Sequence, residues 1–126
     1  ERSRRVAPYF VDTIRSAIDR RFGVIETESD SLKVFTAIDR EYQECAENAV
    51  TQGIARLEKQ YPKTKRKSSP LQAALISVFP SSGEIVSWVG GRNYGQNQFD
   101  RISLALRQPG SAFKPFVYLT ALDSEL

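Results

Sequence analysis

A chain of 126 residues with 40% hydrophobic and 26% charged side chains can bury one small core but is too short for two full enzymatic domains. Its formal net charge of +3 is mild, and the excess sits in residues 2–5 and 63–67, where no aromatic rings interleave with the cations, so nucleic-acid binding is not expected. With no histidine and one cysteine, the chain lacks a histidine-based triad, the usual metal ligands and an internal disulfide, and no cofactor is expected.

No apolar run approaches the roughly 20 residues of a membrane span, and no signal peptide opens the chain. Residues 8–22 have the spacing of an amphipathic helix, with Phe10, Ile14, Ala17, Ile18 and Phe22 on one face. Pro8 suits its first turn and Gly23 its end. Residues 32–38 alternate as a strand, with Leu32, Val34, Thr36 and Ile38 opposite Lys33 and Phe35. Asp39 caps a second helix running to about residue 60, whose apolar stripe reads Tyr42, Cys45, Ala46, Ala49, Ile54 and Leu57. Cys45 within that stripe reads as a buried structural thiol.

Residues 63–70 form a polar, basic linker and the best boundary in the chain. Residues 71–79 then read as a strand, 80–83 as a turn and 84–89 as its hairpin partner. Ser81 and Glu84 match a capping box formally, but Gly83 and the β-branched residues after it favour a turn. Gly90 and Gly91 end the second strand, a polar loop follows, and a helix begins near Ser111. Pro115 fits there because the first helical turn has N–H groups without partners. Phe113, Phe116, Val117, Leu119 and Ala121 give that helix abundant apolar surface. The class is α+β.

Ser111 and Lys114 are the candidate catalytic pair. Three residues apart, they share one face of a helix. A serine hydroxyl becomes a useful nucleophile when a base takes its proton, and a lysine amine can be that base once its pKa is lowered. Pro109 and Gly110 suit a tight entry that leaves Ser111 at a helix N-terminus, where free N–H groups favour developing negative charge. The pair alone is weak, since chance yields one roughly every few hundred positions. As structure only, Ser111 is an N-cap and Lys114 a solvated charge, although Glu or Gln is the commoner residue at the latter position.

The flanking residues carry more. The run Val89-Gly90-Gly91-Arg92-Asn93-Tyr94, then Gln98-Phe99-Asp100-Arg101, then Arg107-Gln108-Pro109-Gly110-Ser111 through Leu122, closely resembles class A penicillin-binding proteins, the bifunctional enzymes that build bacterial peptidoglycan. The resemblance is specific from about Leu71 to Leu122. It continues more loosely through Ala7-Pro8-Tyr9-Phe10-Val11 and Thr36-Ala37-Ile38-Asp39, which look like the segment joining glycosyltransferase and transpeptidase domains in that family.

The resemblance implies a fragment of the penicillin-binding transpeptidase (serine β-lactamase-like) fold: an antiparallel hairpin plus helices, preceded by a small α/β linker region. Residues 1–66 would be the interdomain linker and residues 67–126 the N-terminal part of an incomplete transpeptidase domain. The Ser111 helix would pack beside the hairpin. By the same carry-over Ser111 is the nucleophile that attacks a D-alanyl-D-alanine stem peptide, Lys114 is its general base, and the Ser111 N–H supplies half of an oxyanion hole. The implied partners are peptidoglycan stem peptides, lipid II-derived glycan strands, β-lactam antibiotics and the remainder of the transpeptidase domain. The implied location is the extracytoplasmic, periplasmic face of the bacterial inner membrane, with the membrane anchor upstream of this chain.

This sequence departs from the family's pattern in places. Phe79-Pro80 stands where relatives often carry Asp-Pro, and Trp88 where a small or apolar residue is common. Trp88 reads as sheet packing, and Arg92 and Tyr94 as surface packing more than as lining of an approach to the serine. No Ser-x-Asn or Lys-Thr-Gly motif follows Ser111, so the chain alone is expected not to turn over substrate. Two other readings stay open: a serine β-lactamase or β-lactam sensor, which shares Ser-x-x-Lys, and a non-catalytic pedestal that positions domains or binds a cell-wall partner.

Overall fold

Three α-helices, two short 3-10 turns and one hairpin form the regular structure of the residues described by the computed structural model, 6–23, 32–64 and 69–124. The basic residues 2–5 and 65–67 lie outside them. Helix α1 spans Pro8–Phe22, with Pro8 in its first turn, Arg20 and Arg21 in its last, where cations favour the helix dipole, and Gly23 as its C-cap at φ 81°. Ala7 enters it in a left-handed conformation and is itself buried. Helix α2 spans Arg40–Gln60, and the Asp39 carboxylate accepts from the Tyr42 N–H at 3.0 Å as the expected N-cap.

Strands β1 (Leu75–Val78) and β2 (Ile85–Val89) form an antiparallel hairpin in which Leu75 faces Val89 and Ser77 faces Ser87. Gly83 at φ 75° closes the turn, its N–H donating to Phe79 O at 2.8 Å. Between Ser77 and Val78 the register shifts, so Val86 has no partner on β1. Its carbonyl accepts instead from the Asp39 N–H at 3.0 Å.

The core lies between α2 and the hairpin: Ala46, Val50 and Ile54 pack on Val89, with Leu71, Ala73 and Leu75 around them. On the opposite side of β2, Phe10 of α1 lies against the Trp88 ring, centroids 5.8 Å apart. Strand β2 is therefore covered on both faces, which is why Val86 to Val89 are all buried. Residues on either side of the basic linker contribute to this one core.

The expected strand at residues 32–38 is absent; the segment carries no ladder, and Phe35 is 92% exposed. The edge of β2 that would accept a strand is already occupied. The Gln43 side chain takes the Trp88 N–H on Oε1 at 2.8 Å and donates Nε2–H to the Trp88 carbonyl at 3.1 Å. One amide side chain thus makes the two bonds that a neighbouring strand would make.

The buried stripe of α2 is Gln43, Ala46, Val50, Ile54 and Glu58. Cys45 is exposed, as are Tyr42, Ala49 and Leu57, so the expected buried thiol is corrected. In α1, Tyr9 is the fully buried residue, while Phe22 and Ala17 face out.

Candidate active site

The segment carrying Ser111 opens with a 3-10 turn at Gly110–Phe113, and helix α3 follows at Lys114–Asp123. Gly110 sits at φ 53°, which a residue with a Cβ adopts reluctantly. Ser111 thus lies inside a tight turn ahead of the α-helix and not at the α-helical N-terminus expected from the sequence. Pro115 is the reason: α3 accommodates it at the first or second position, so regular α geometry begins there.

The turn keeps the pair together. A 3-10 helix has three residues per turn, so side chains three apart eclipse each other. The Lys114 N–H donates to the Ser111 carbonyl, closing that turn. The first bond of the turn runs from the Ala112 N–H to Pro109 O at 3.1 Å, which leaves the Ser111 N–H ahead of the ladder. Ser111 and Lys114 are both exposed, and no hydrogen bond joins their side chains.

Helix α3 does not pack beside the hairpin. Among the described elements it lies against only the 3-10 turn before it, and Phe116, Val117, Tyr118, Leu119 and Leu122 are all exposed. The faces of β2 are already taken by α1 and α2. Ten residues of largely apolar helix stand without a covering layer.

The other motif residues close around the end of β2. Asp100 is 5% exposed, and its carboxylate collects four donors. Oδ2 accepts from Trp88 Nε1 at 2.9 Å, Thr13 Oγ1 at 3.0 Å and Ser103 Oγ at 2.8 Å; Oδ1 accepts from the Ile102 N–H at 3.0 Å. Gly90 and Gly91 are where they are because of close approach. A Cβ on Gly90 would stand 2.2 Å from Asp100 Oδ1 and 2.9 Å from the Tyr9 ring, and one on Gly91 would stand 2.6 Å from Tyr9 Oη.

Tyr9 donates its hydroxyl to Asn97 O at 2.6 Å and meets Tyr94 edge to face at 5.0 Å. Burial raises the pKa of Tyr9 above the usual phenol value; Arg101 opposes this, and Asp100 and Tyr94 add to it. The Tyr94 hydroxyl donates to Asp12 Oδ2. Arg92 forms a two-pronged ion pair with Glu58, Nη1 to Oε1 at 2.6 Å and Nη2 to Oε2 at 3.2 Å. Trp88 packs against α1 as expected, whereas Arg92 and Tyr94 are half-buried and bonded to Glu58 and Asp12 and do not lie simply on the surface.

Sequence reasoning missed Tyr9, Thr13, Gln43 and Glu58, whose partners lie between 34 and 88 residues away along the chain. Only the doubled glycine signalled that something presses on this backbone. Among the described residues no three His, Cys, Asp or Glu side chains converge as a metal site. No helix there is long and apolar enough to cross a membrane.

No protein-family model matches the chain. Among individual proteins it is 32% identical over 124 residues, 97% of its length, to penicillin-binding protein 2D of Bacillus subtilis (strain 168). It is 36% identical over 116 residues, 92% of its length, to penicillin-binding protein 1B of Escherichia coli (strain K12). A penicillin-binding protein 1A of Aquifex aeolicus (strain VF5) matches at 25% identity across 97% of the chain. The chain spans 16%, 13% and 27% of these relatives' own lengths.

Proposed function

Because the chain belongs to the class A penicillin-binding proteins, we propose that it serves peptidoglycan synthesis as a segment of a D,D-transpeptidase, with Ser111 as nucleophile and Lys114 as general base. The observation that carries this reading is the turn itself. Ser111 and Lys114 stand one 3-10 turn apart, exposed, at the head of a helix whose apolar surface no other described element covers.

In this reading the Ser111 hydroxyl attacks the carbonyl carbon between two terminal D-alanines of a stem peptide, and its proton passes to the Lys114 amine. The resulting oxyanion receives the Ser111 N–H, a donor typically worth about 3 kcal/mol. As the carbon–nitrogen bond breaks, the departing D-alanine takes the proton and an acyl-enzyme remains. The amine of a neighbouring stem peptide then displaces Ser111 and forms the cross-link. A β-lactam acylates the same oxygen.

A lysine acts as a base when it is desolvated or set beside another cation. Lys114 is exposed here, and in this reading the remainder of the transpeptidase domain covers α3 and takes Lys114 out of water. Residues 1–66 and 67–126 are then the linker and the opening of that domain. The parent protein works on the extracytoplasmic face of the membrane, on stem peptides of lipid II-derived strands. A pedestal role stands beside this reading on one observation: α1 and α2 wrap both faces of β2 and would brace whatever is joined to the hairpin.

The test is labelling with a fluorescent penicillin, read by intact mass on the full-length protein and on the 126-residue chain, each with and without Ser111→Ala. A long-lived adduct on the full-length protein, lost in the variant and absent from the short chain, is the expected result. An adduct of equal stoichiometry in Ser111→Ala removes the assignment, and an adduct hydrolysed within seconds turns it into a β-lactamase.

A further inference from the structure

Residues 105–124 are joined to the rest of the molecule by no hydrogen bond or ion pair among the described residues. The 3-10 turn and α3 contact each other and no other described element. The chain that delivers Ser111 is therefore last fastened at the turn of residues 100–104. There the Leu104 N–H donates to Asp100 O at 2.9 Å and the Arg101 N–H to Gly90 O at 3.0 Å. The bolt is the Asp100 carboxylate, which ties this turn, through Ser103 and the Ile102 N–H, to Thr13 on α1 and Trp88 on β2.

We propose that Asp100 is a positioning residue for Ser111, holding the serine-bearing segment to α1 and β2 through Thr13 and Trp88. Four donors on one buried carboxylate fix its orientation more firmly than packing alone, and charge-assisted bonds are the strong ones. Ser111 lies seven positions beyond Leu104, a tether of at most about 25 Å. A change of direction at the bolt changes where this segment leaves the body. Misplacing a reacting atom by about 1 Å can lower a rate by up to about a hundredfold. In the same geometry α1 is the outer strut: Thr13 reaches the bolt from a helix that itself makes no contact with the serine turn.

The proposal rests on Ser111 being the acylated residue, and its test separates the two. In the full-length protein, the noncovalent affinity for a fluorescent penicillin and the acylation rate constant at saturation are measured by stopped flow for the wild type, Asp100→Asn and Thr13→Val. Asp100→Asn turns one acceptor oxygen into a donor facing donors. Thr13→Val removes one strut and keeps the side chain's shape. The expected result is an acylation rate constant lower by about tenfold in Asp100→Asn and about threefold in Thr13→Val, with affinity changed less than about twofold.

A merely structural role would lower the fraction of molecules that label and leave the rate constant of the remainder unchanged, and that result overturns the proposal. If Asp100→Asn does not fold, Thr13→Val decides alone by the same criterion. A wild type that is not acylated at Ser111 overturns both this proposal and the reading beneath it.

Discussion

Replacing Gln43 with leucine keeps the size of a fully buried side chain, 1% exposed, and removes both bonds it makes to the edge of β2. The Trp88 N–H and C=O are then buried without partners. A stranded buried polar group costs about 1–3 kcal/mol, so two cost roughly 3 kcal/mol after allowance for relaxation. Against a total stability of about 5–15 kcal/mol that is a large fraction. Trp88 is the only tryptophan and is buried, so its fluorescence reports unfolding at the very site of the change. With a urea dependence of roughly 1.5 kcal/mol per molar, the midpoint falls by about 2 M. Gln43→Glu sharpens the test. A carboxylate can take the Trp88 N–H but cannot donate to the Trp88 carbonyl, whereas the protonated acid does both. The folded state therefore favours the proton and raises the glutamate's pKa above about 4.3. Its stabilising contribution is complete below that pH and is lost as pH rises through the folded value. A Gln43→Leu midpoint within about 0.3 M of wild type, or a Gln43→Glu variant with wild-type pH dependence, would refute the view that this amide replaces a strand.

Gly90→Ala places a methyl 2.2 Å from Asp100 Oδ1, and since the nearest atoms belong to a pinned carboxylate it costs at least about 1–3 kcal/mol, visible as a lower urea midpoint. Arg92→Ala removes the two-pronged pair from a Glu58 carboxylate that is only 8% exposed; a loss of about 1–3 kcal/mol is expected on denaturation, and Arg92→Lys recovers little because it cannot pair two-pronged. Ser87→Ala goes the other way, because the Ser87 hydroxyl is buried with no partner, and denaturation should show it neutral or stabilised by about 1 kcal/mol. Tyr9 has its folded pKa raised chiefly by burial, so its contribution is complete below pH ~10 and is lost as pH rises through the folded value; Tyr9→Phe should flatten the stability decline that wild type shows in alkaline titrations.

The hairpin, both long helices and the Asp39 cap were legible because each rests on signals local in the sequence: alternation, a glycine turn, a capping carboxylate before an apolar stripe. The face of α2 was not. Its buried line begins with Gln43 and ends with Glu58, and a search for apolar periodicity passes over both, then fills the stripe with Cys45 and Ala49, which are exposed. Both polar residues are buried because their partners, Trp88 and Arg92, are supplied by chain 45 and 34 residues away. The strand expected at residues 32–38 failed for the same cause. Alternation shows that a segment could pair, whereas pairing needs an open edge, and Gln43 occupies the edge of β2.

That distinction bears on what the motif around Val89 to Arg101 measures. Gly90 and Gly91 answer the pressure of Tyr9, Asp100 and Arg101; Arg92 answers Glu58; Tyr94 answers Asp12; Asp100 gathers Thr13, Trp88 and Ser103. Every residue in that account is satisfied by packing or pairing within the fold, and none needs a substrate to explain its identity. Ser111 and Lys114 are the reverse case: exposed, without side-chain partners in hydrogen bonds or ion pairs among the described residues, and held one turn apart by a backbone that Gly110 and Pro115 shape. A sequence motif that runs through both regions thus mixes two physical demands. The first part specifies a rigid corner, and the second specifies an exposed pair one turn apart, which the proposed reading makes the nucleophile and its base. The Asp100 turn is where one demand hands over to the other, so on the proposed reading of Ser111 a substitution there separates the rate of acylation from the stability of the body that carries it.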